Sequence, residues 1–229
     1  MELLNVLKAQ SVWLFDANDL NPRGKSFFPD LIEWMTEIYQ FQKVPKSPDD
    51  LDDTKGLAFK QGVFSLGDEA LTVELTVYND GLIANTYSST RATDLFLQDA
   101  LSNAAHEFDL NYPKDLVRSK THLSEIVVRL TESLSKINPK LVAFADRISK
   151  IHGHKNATPF EVGGVSFWSD VSMAALKFAP FSIERKINAP FPENRFYCKA
   201  PLHTDEHLTL LEEFEMLLAG RELPVGSGL

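Results

Sequence analysis

Residues 71–88 read LTVELTVYNDGLIANTYS, and this stretch decides the fold class. Leu71, Val73, Leu75 and Val77 alternate with Thr72, Glu74, Thr76 and Tyr78, the two-residue period of a half-buried strand. Asn79-Asp80-Gly81 then marks a tight turn. A type I′ turn needs positive φ at both central positions, and Asp-Gly meets that need. With Asp80 and Gly81 at the centre, the returning strand Leu82–Ser88 sets Val77 opposite Ala84, Leu75 opposite Thr86 and Val73 opposite Ser88. Large residues then face small ones, which leaves room for a covering helix. Thr93 is its predicted N-cap, and Leu97, Ala100, Leu101, Ala104, Ala105 and Phe108 follow the i, i+3, i+4 spacing.

The same reasoning extends outward. Ser11–Phe15 reads as a short strand, and Ser26 as the cap of a helix with Phe28, Leu31, Ile32, Met35, Ile38 and Tyr39 inside. Gly56–Leu66 is a predicted strand leading into the hairpin. Downstream, Ser124–Leu130 and Glu161–Trp168 are predicted strands. Asn138-Pro139 starts a helix with the apolar stripe Leu141, Phe144, Ala145, Ile148 and Ile151. Phe181–Ile187 and Arg195–Ala200 form a second hairpin. Thr204 caps a last helix, with Leu210, Leu211, Phe214, Leu217 and Leu218 inside and Gly220 at its end.

The predicted class is therefore α+β, an antiparallel sheet built from hairpins with amphipathic helices packed on it. The order strand, strand, Thr-Asp, helix occurs twice, through Thr93-Asp94 and through Thr204-Asp205. Residues 1–220 read as one domain with two hairpin-helix repeats, 1–110 and 111–220, a candidate internal duplication. Residues 221–229 read as a frayed tail.

Composition bounds the function. Hydrophobic content of 44% and charged content of 24% are those of a globular protein. There is no apolar run of membrane-spanning length and no basic n-region of a secretory signal. Cys198 is the only cysteine, so no internal disulfide forms, and a reducing, cytoplasmic location is expected. The formal net charge of -9 disfavours nucleic acid as a partner. Between Lys114 and Lys155, however, basic residues outnumber acidic ones, and this basic middle segment could meet the acidic first half of a second copy.

Each candidate for chemistry carries a local explanation beside it. His203-Thr204-Asp205-Glu206-His207 matches the H-x-x-E-H pattern, with His203 and His207 as zinc ligands and Glu206 activating a bound water. Thr204 as a cap places His203 outside the helix, which argues against convergence and predicts that His203 turns away from His207. Gly24-Lys25-Ser26 lies between strand and helix like a phosphate loop but lacks the glycine that would precede it. Asp16 and Asn18 end a strand, where a phosphotransferase would have a second aspartate. His152-Gly153-His154, with His122, could take a metal, and Asp49–Asp53 could take Ca²⁺; surface histidines at a helix end and a solvated loop are the default readings. Cys198 shares an apolar face with Phe196 and Ala200 and reads as core.

No stretch resembles a known family closely enough to import functional residues. The expectation is a non-enzymatic protein-binding or assembly module that associates with a protein partner or with itself, without cofactor or metal. The alternatives are a zinc-dependent hydrolase using Glu206, His203 and His207, and nucleic-acid binding through the basic middle segment.

Overall fold

The computed structural model describes residues 1–20, 28–45, 56–152, 159–170, 172 and 178–223. The elements are β1 (Glu2–Leu14), α1 (Ala17–Leu20), α2 (Phe28–Tyr39), β2 (Leu57–Leu66), β3 (Glu69–Tyr78), β4 (Gly81–Thr86), α3 (Thr90–Glu107) and β5 (Ser119–Arg129). They continue with α4 (Pro139–His152), β6 (Gly164–Phe167), β7 (Phe181–Arg185), β8 (Arg195–Ala200) and α5 (Thr204–Leu218). Strand neighbours run β2-β3-β4-β1-β5-β8-β7-β6. The pairs β1–β4, β2–β3, β3–β4, β6–β7 and β7–β8 are antiparallel. This is the expected α+β architecture. Leaving aside the one-turn α1, the order β-α-β-β-β-α occurs twice, from β1 to α3 and from β5 to α5.

The chain forms two compact units. One comprises 6–124 and 201–204; the other comprises 1–5, 125–200 and 205–229. In the first, β3 and β4 form the expected hairpin with a different register. Val77 faces Leu82, Leu75 faces Ala84 and Val73 faces Thr86, so the turn is Asn79-Asp80 and Gly81 opens β4. The cause lies outside the hairpin: Asp80 and Asn79 carbonyls accept from Phe15 N and Ala17 N at 3.0 and 2.9 Å. The turn is thus pinned to the end of β1. The two-residue shift keeps the parity of the pleat, so the core face is the one predicted.

β1 begins at Glu2, well before the predicted Ser11, and pairs Trp13 with Leu82 and Ser11 with Ala84. The N-cap of α3 is Ser89, whose side chain accepts from Ala92 N; Thr93 lies inside the first turn and donates to Thr90 O at 2.8 Å. The core joins Trp13, Phe15, Met35, Tyr39, Phe59, Leu75, Phe96 and Leu97. Phe96 meets Tyr39 edge-on at 5.1 Å and Phe64 at 5.5 Å, close contacts of the kind that add to area burial. Ile38, expected inside α2, is exposed.

In the second unit, β7 and β8 pair Ile183 with Cys198. Phe196, Cys198 and Ala200 are all fully buried, as their alternation implied, and burial pushes the Cys198 thiol up to about 12. The β5 strand starts earlier than predicted, at Ser119, and β6 is shorter than predicted. Two helix stripes differ from expectation. On α4 Ala145 is buried while Leu141, Phe144 and Ile151 are exposed. On α5 Leu211 and Leu218 are buried, but Leu210 and Leu217 are exposed, and the buried face includes His207. The stripe is set by His207, Leu211 and Leu218, an i, i+4, i+11 series that a histidine obscures.

No helix among the described residues is long and apolar enough to cross a membrane. Gly24-Lys25-Ser26, Asp49–Asp53, Gly153-His154 and residues 224–229 lie outside the described residues, as does the side chain of His152.

Candidate metal centre

On β1 of the first unit, Ala9, Ser11 and Trp13 alternate on the buried face. A serine and an indole N–H on an otherwise apolar face need partners. They find them in the first turns of α3. Ser11 Oγ lies 2.7 Å from Thr93 Oγ1, and Trp13 Nε1 donates to Asp94 Oδ1 at 2.8 Å. The other carboxylate oxygen, Asp94 Oδ2, lies 2.9 Å from His122 Nε2 on β5. Trp13 and His122 therefore hold the carboxylate from two sides.

His203 completes the cluster. It precedes α5, and its ring stacks on that of His122 with centroids 3.6 Å apart and planes tilted by 31°. Its Nδ1 is 3.2 Å from Thr90 Oγ1. The segment carrying it is tied to the start of α3 by a reciprocal pair. Thr90 N donates to Thr204 Oγ1 at 3.1 Å, and Thr204 N donates to Thr90 Oγ1 at 2.9 Å. Both threonines are buried. Thr204, expected as a cap, is the first residue of α5 and spends its hydroxyl on Thr90.

One ligand atom from each of Asp94, His122 and His203 falls within 4.8 Å of the others, and all three residues are half-buried. Burial raises the Asp94 carboxyl, but hydrogen bonds from His122, Trp13 and Ser11 outweigh it and bring the group down to about 2. Asp94 is thus an anion across the physiological range. The set of two imidazoles and one carboxylate, with Asp94 braced by Trp13 and His203 by Thr90, has the donor chemistry of a transition-metal site.

The residues of the H-x-x-E-H pattern are divided. His203 joins the cluster just described. His207 belongs to the other unit, fully buried edge-on to Phe181 at 5.5 Å, with neither ring nitrogen hydrogen-bonded among the described residues. Glu206 lies exposed in the first turn of α5. Asp16 accepts from Asn18 N at 2.9 Å, a local turn that starts α1. His122 clusters with Asp94 and His203 instead of standing only as a companion to the His152 region. Asp94, Trp13 and Thr90 escaped the sequence reading. Asp94 explains itself locally as a residue early in a helix, and no spacing links it to a histidine 28 residues on.

No protein family and no curated protein matches the chain. A solved structure, Methanococcus jannaschii TBP, aligns over 96% of this chain and 98% of its own, at 10% identity and a TM-score of 0.44. A likeness of that degree carries no argument about what this chain binds.

Proposed function

We propose that the protein binds a divalent transition ion between Asp94, His122 and His203. The observation that carries this reading is the convergence of three ligating atoms within 4.8 Å. Two ligands at about 2.0–2.1 Å on a tetrahedral ion lie about 3.3 Å apart. Asp94 Oδ2 and His122 Nε2 stand 2.9 Å apart, so a shift of a few tenths of an ångström admits the ion. With Nε2 of His203 as ligand, its Nδ1–H donates to Thr90 Oγ1, the outer bond that orients a metal-bound imidazole. Three protein ligands leave a coordination position for water or substrate, the arrangement of catalytic zinc sites. The metal-dependent reading thus keeps His203, takes Asp94 and His122 as its companions, and gives His207 no role.

Titration of metal-free protein with Zn²⁺ should give one equivalent bound. His122→Ala should weaken binding at least about 100-fold, and Trp13→Phe about 10-fold, the scale of an outer-shell loss. His207→Leu should bind as the wild type does. Absent stoichiometric binding, or zinc lost with His207 but kept without His122, would contradict the assignment.

A second reading, self-association, is favoured by α4. Leu141, Phe144 and Ile151 are exposed there, beside Lys140, Arg147 and Lys150, in a chain of net charge -9. Contact between this basic apolar face and an acidic surface of another copy weakens as salt shortens the Debye length. Light-scattering mass should then fall between about 0.05 and 1 M salt, and Phe144→Glu should abolish the larger species. A monomer at every salt and protein concentration would remove this reading.

A further inference from the structure

We infer that the centre takes a tetrahedral oxyanion of the phosphate class as its additional ligand, with Lys120 as the residue that contacts it. This rests on the metal reading above and extends it to the ligand. Lys120 is two residues from His122 on β5, so both side chains leave the same face of the strand. Their Cβ atoms are then about 7 Å apart, a span that one phosphate bridges between an ion and an ammonium. Lys120 is exposed, and its Nζ sits 3.7 Å from the centroid of the Trp13 ring. The same indole donates to Asp94 Oδ1. Trp13 therefore braces the carboxylate with its edge and carries the lysine on its face.

Among the described residues no carboxylate pairs with Lys120. Among these residues its counter-charge is the π face of Trp13, a weak hold at an exposed position. An arriving anion can draw the ammonium away at that small cost. Electrostatics favour such an arrival here. A divalent ion with the Asp94 carboxylate leaves one net positive charge, and Lys120 adds a second, in a chain whose formal charge is -9. A phosphate oxygen on the ion and another on the lysine would neutralise both charges together. The centre is half-buried rather than sealed, with 12% of the His122 and 24% of the Asp94 side chain accessible, so the anion needs no opening of the core.

The test uses Co²⁺ as a visible probe of the full chain. Cobalt-loaded protein is titrated with inorganic phosphate and, separately, with phenyl phosphate, at ionic strength held constant with chloride. At least one of them should change the cobalt absorption in a saturable way; the tighter of the two tells free phosphate from a phosphate monoester. Lys120→Gln, a change on the exposed face, should not weaken Co²⁺ binding and should weaken the anion about 10-fold, while Lys120→Arg should restore it. A cobalt spectrum indifferent to both anions, or anion binding equal in Lys120→Gln, overturns the inference and leaves the metal centre standing. No cobalt spectrum in the wild type overturns both.

Discussion

Gly81→Val is expected to prevent folding, or to cost more than about 3 kcal/mol where a folded fraction survives. A Cβ built on Gly81 would stand 2.2 Å from the Trp13 carbonyl oxygen and 3.1 Å from Leu14 Cα. Both are backbone atoms of β1, paired in register with β4, and neither can rotate away. Gly81 also has φ of +155, outside the range a β-branched residue favours. Two penalties therefore coincide. Gly163→Ala is the control, since nothing lies within 4 Å of a Cβ there and its φ is not positive; its melting temperature should move little. Denaturant unfolding of the two variants separates them, and a Gly81→Val protein as stable as wild type would mean that β1 and β4 do not pair as described. The strand approach at Gly81 also aims Trp13 at Asp94, so a folded remnant of this variant should bind zinc weakly.

The second large effect is a loss of stability in acid through His207. Its imidazole is fully buried, has no hydrogen-bond partner among the described residues and meets the Phe181 ring. Burial lowers it to about 4, against an ordinary value of 6.5. The folded form resists the proton while the unfolded chain accepts it. Stability is therefore full above about pH 6.5 and falls as pH drops toward 4, by up to about 3 kcal/mol for a shift of this size. His207→Leu removes the proton acceptor and the unsatisfied nitrogens together. Between pH 6.5 and 4 the wild type should lose about 3 kcal/mol more than the variant. Parallel stability curves would show that His207 is hydrated or partnered in solution.

What the sequence disclosed, and what it hid, follows from the range of each interaction. The β3–β4 and β7–β8 hairpins were legible because alternation and turn residues are local. The register of β3–β4 was missed by two residues because it is set by Phe15 N and Ala17 N, whose bonds to Asp80 and Asn79 no local turn rule contains. Glycine at position 81 was recognised, but for a turn dihedral rather than for the close approach of Trp13 O. On α5 the polar His207 sits where the apolar period needs a buried residue, so Leu210 and Leu217 were assigned inward instead. The candidate centre was legible only in fragments. His203 stands in a motif whose other histidine belongs to a different unit, and His122 has the His152 region as its companion in the sequence pattern. Asp94 passed as an ordinary residue of a helix start. The clue that remained was Ser11 and Trp13 alternating with Ala9: polar groups on a buried face must be answered from somewhere.

The most direct test of the metal assignment is anomalous diffraction at the zinc edge from crystals grown with one equivalent of Zn²⁺. The expected result is a single strong peak at about 2.0–2.1 Å from Asp94 Oδ2, His122 Nε2 and a His203 ring nitrogen. A peak on His207, a peak on surface carboxylates alone, or no peak with Asp94 still bonded to His122, would contradict it.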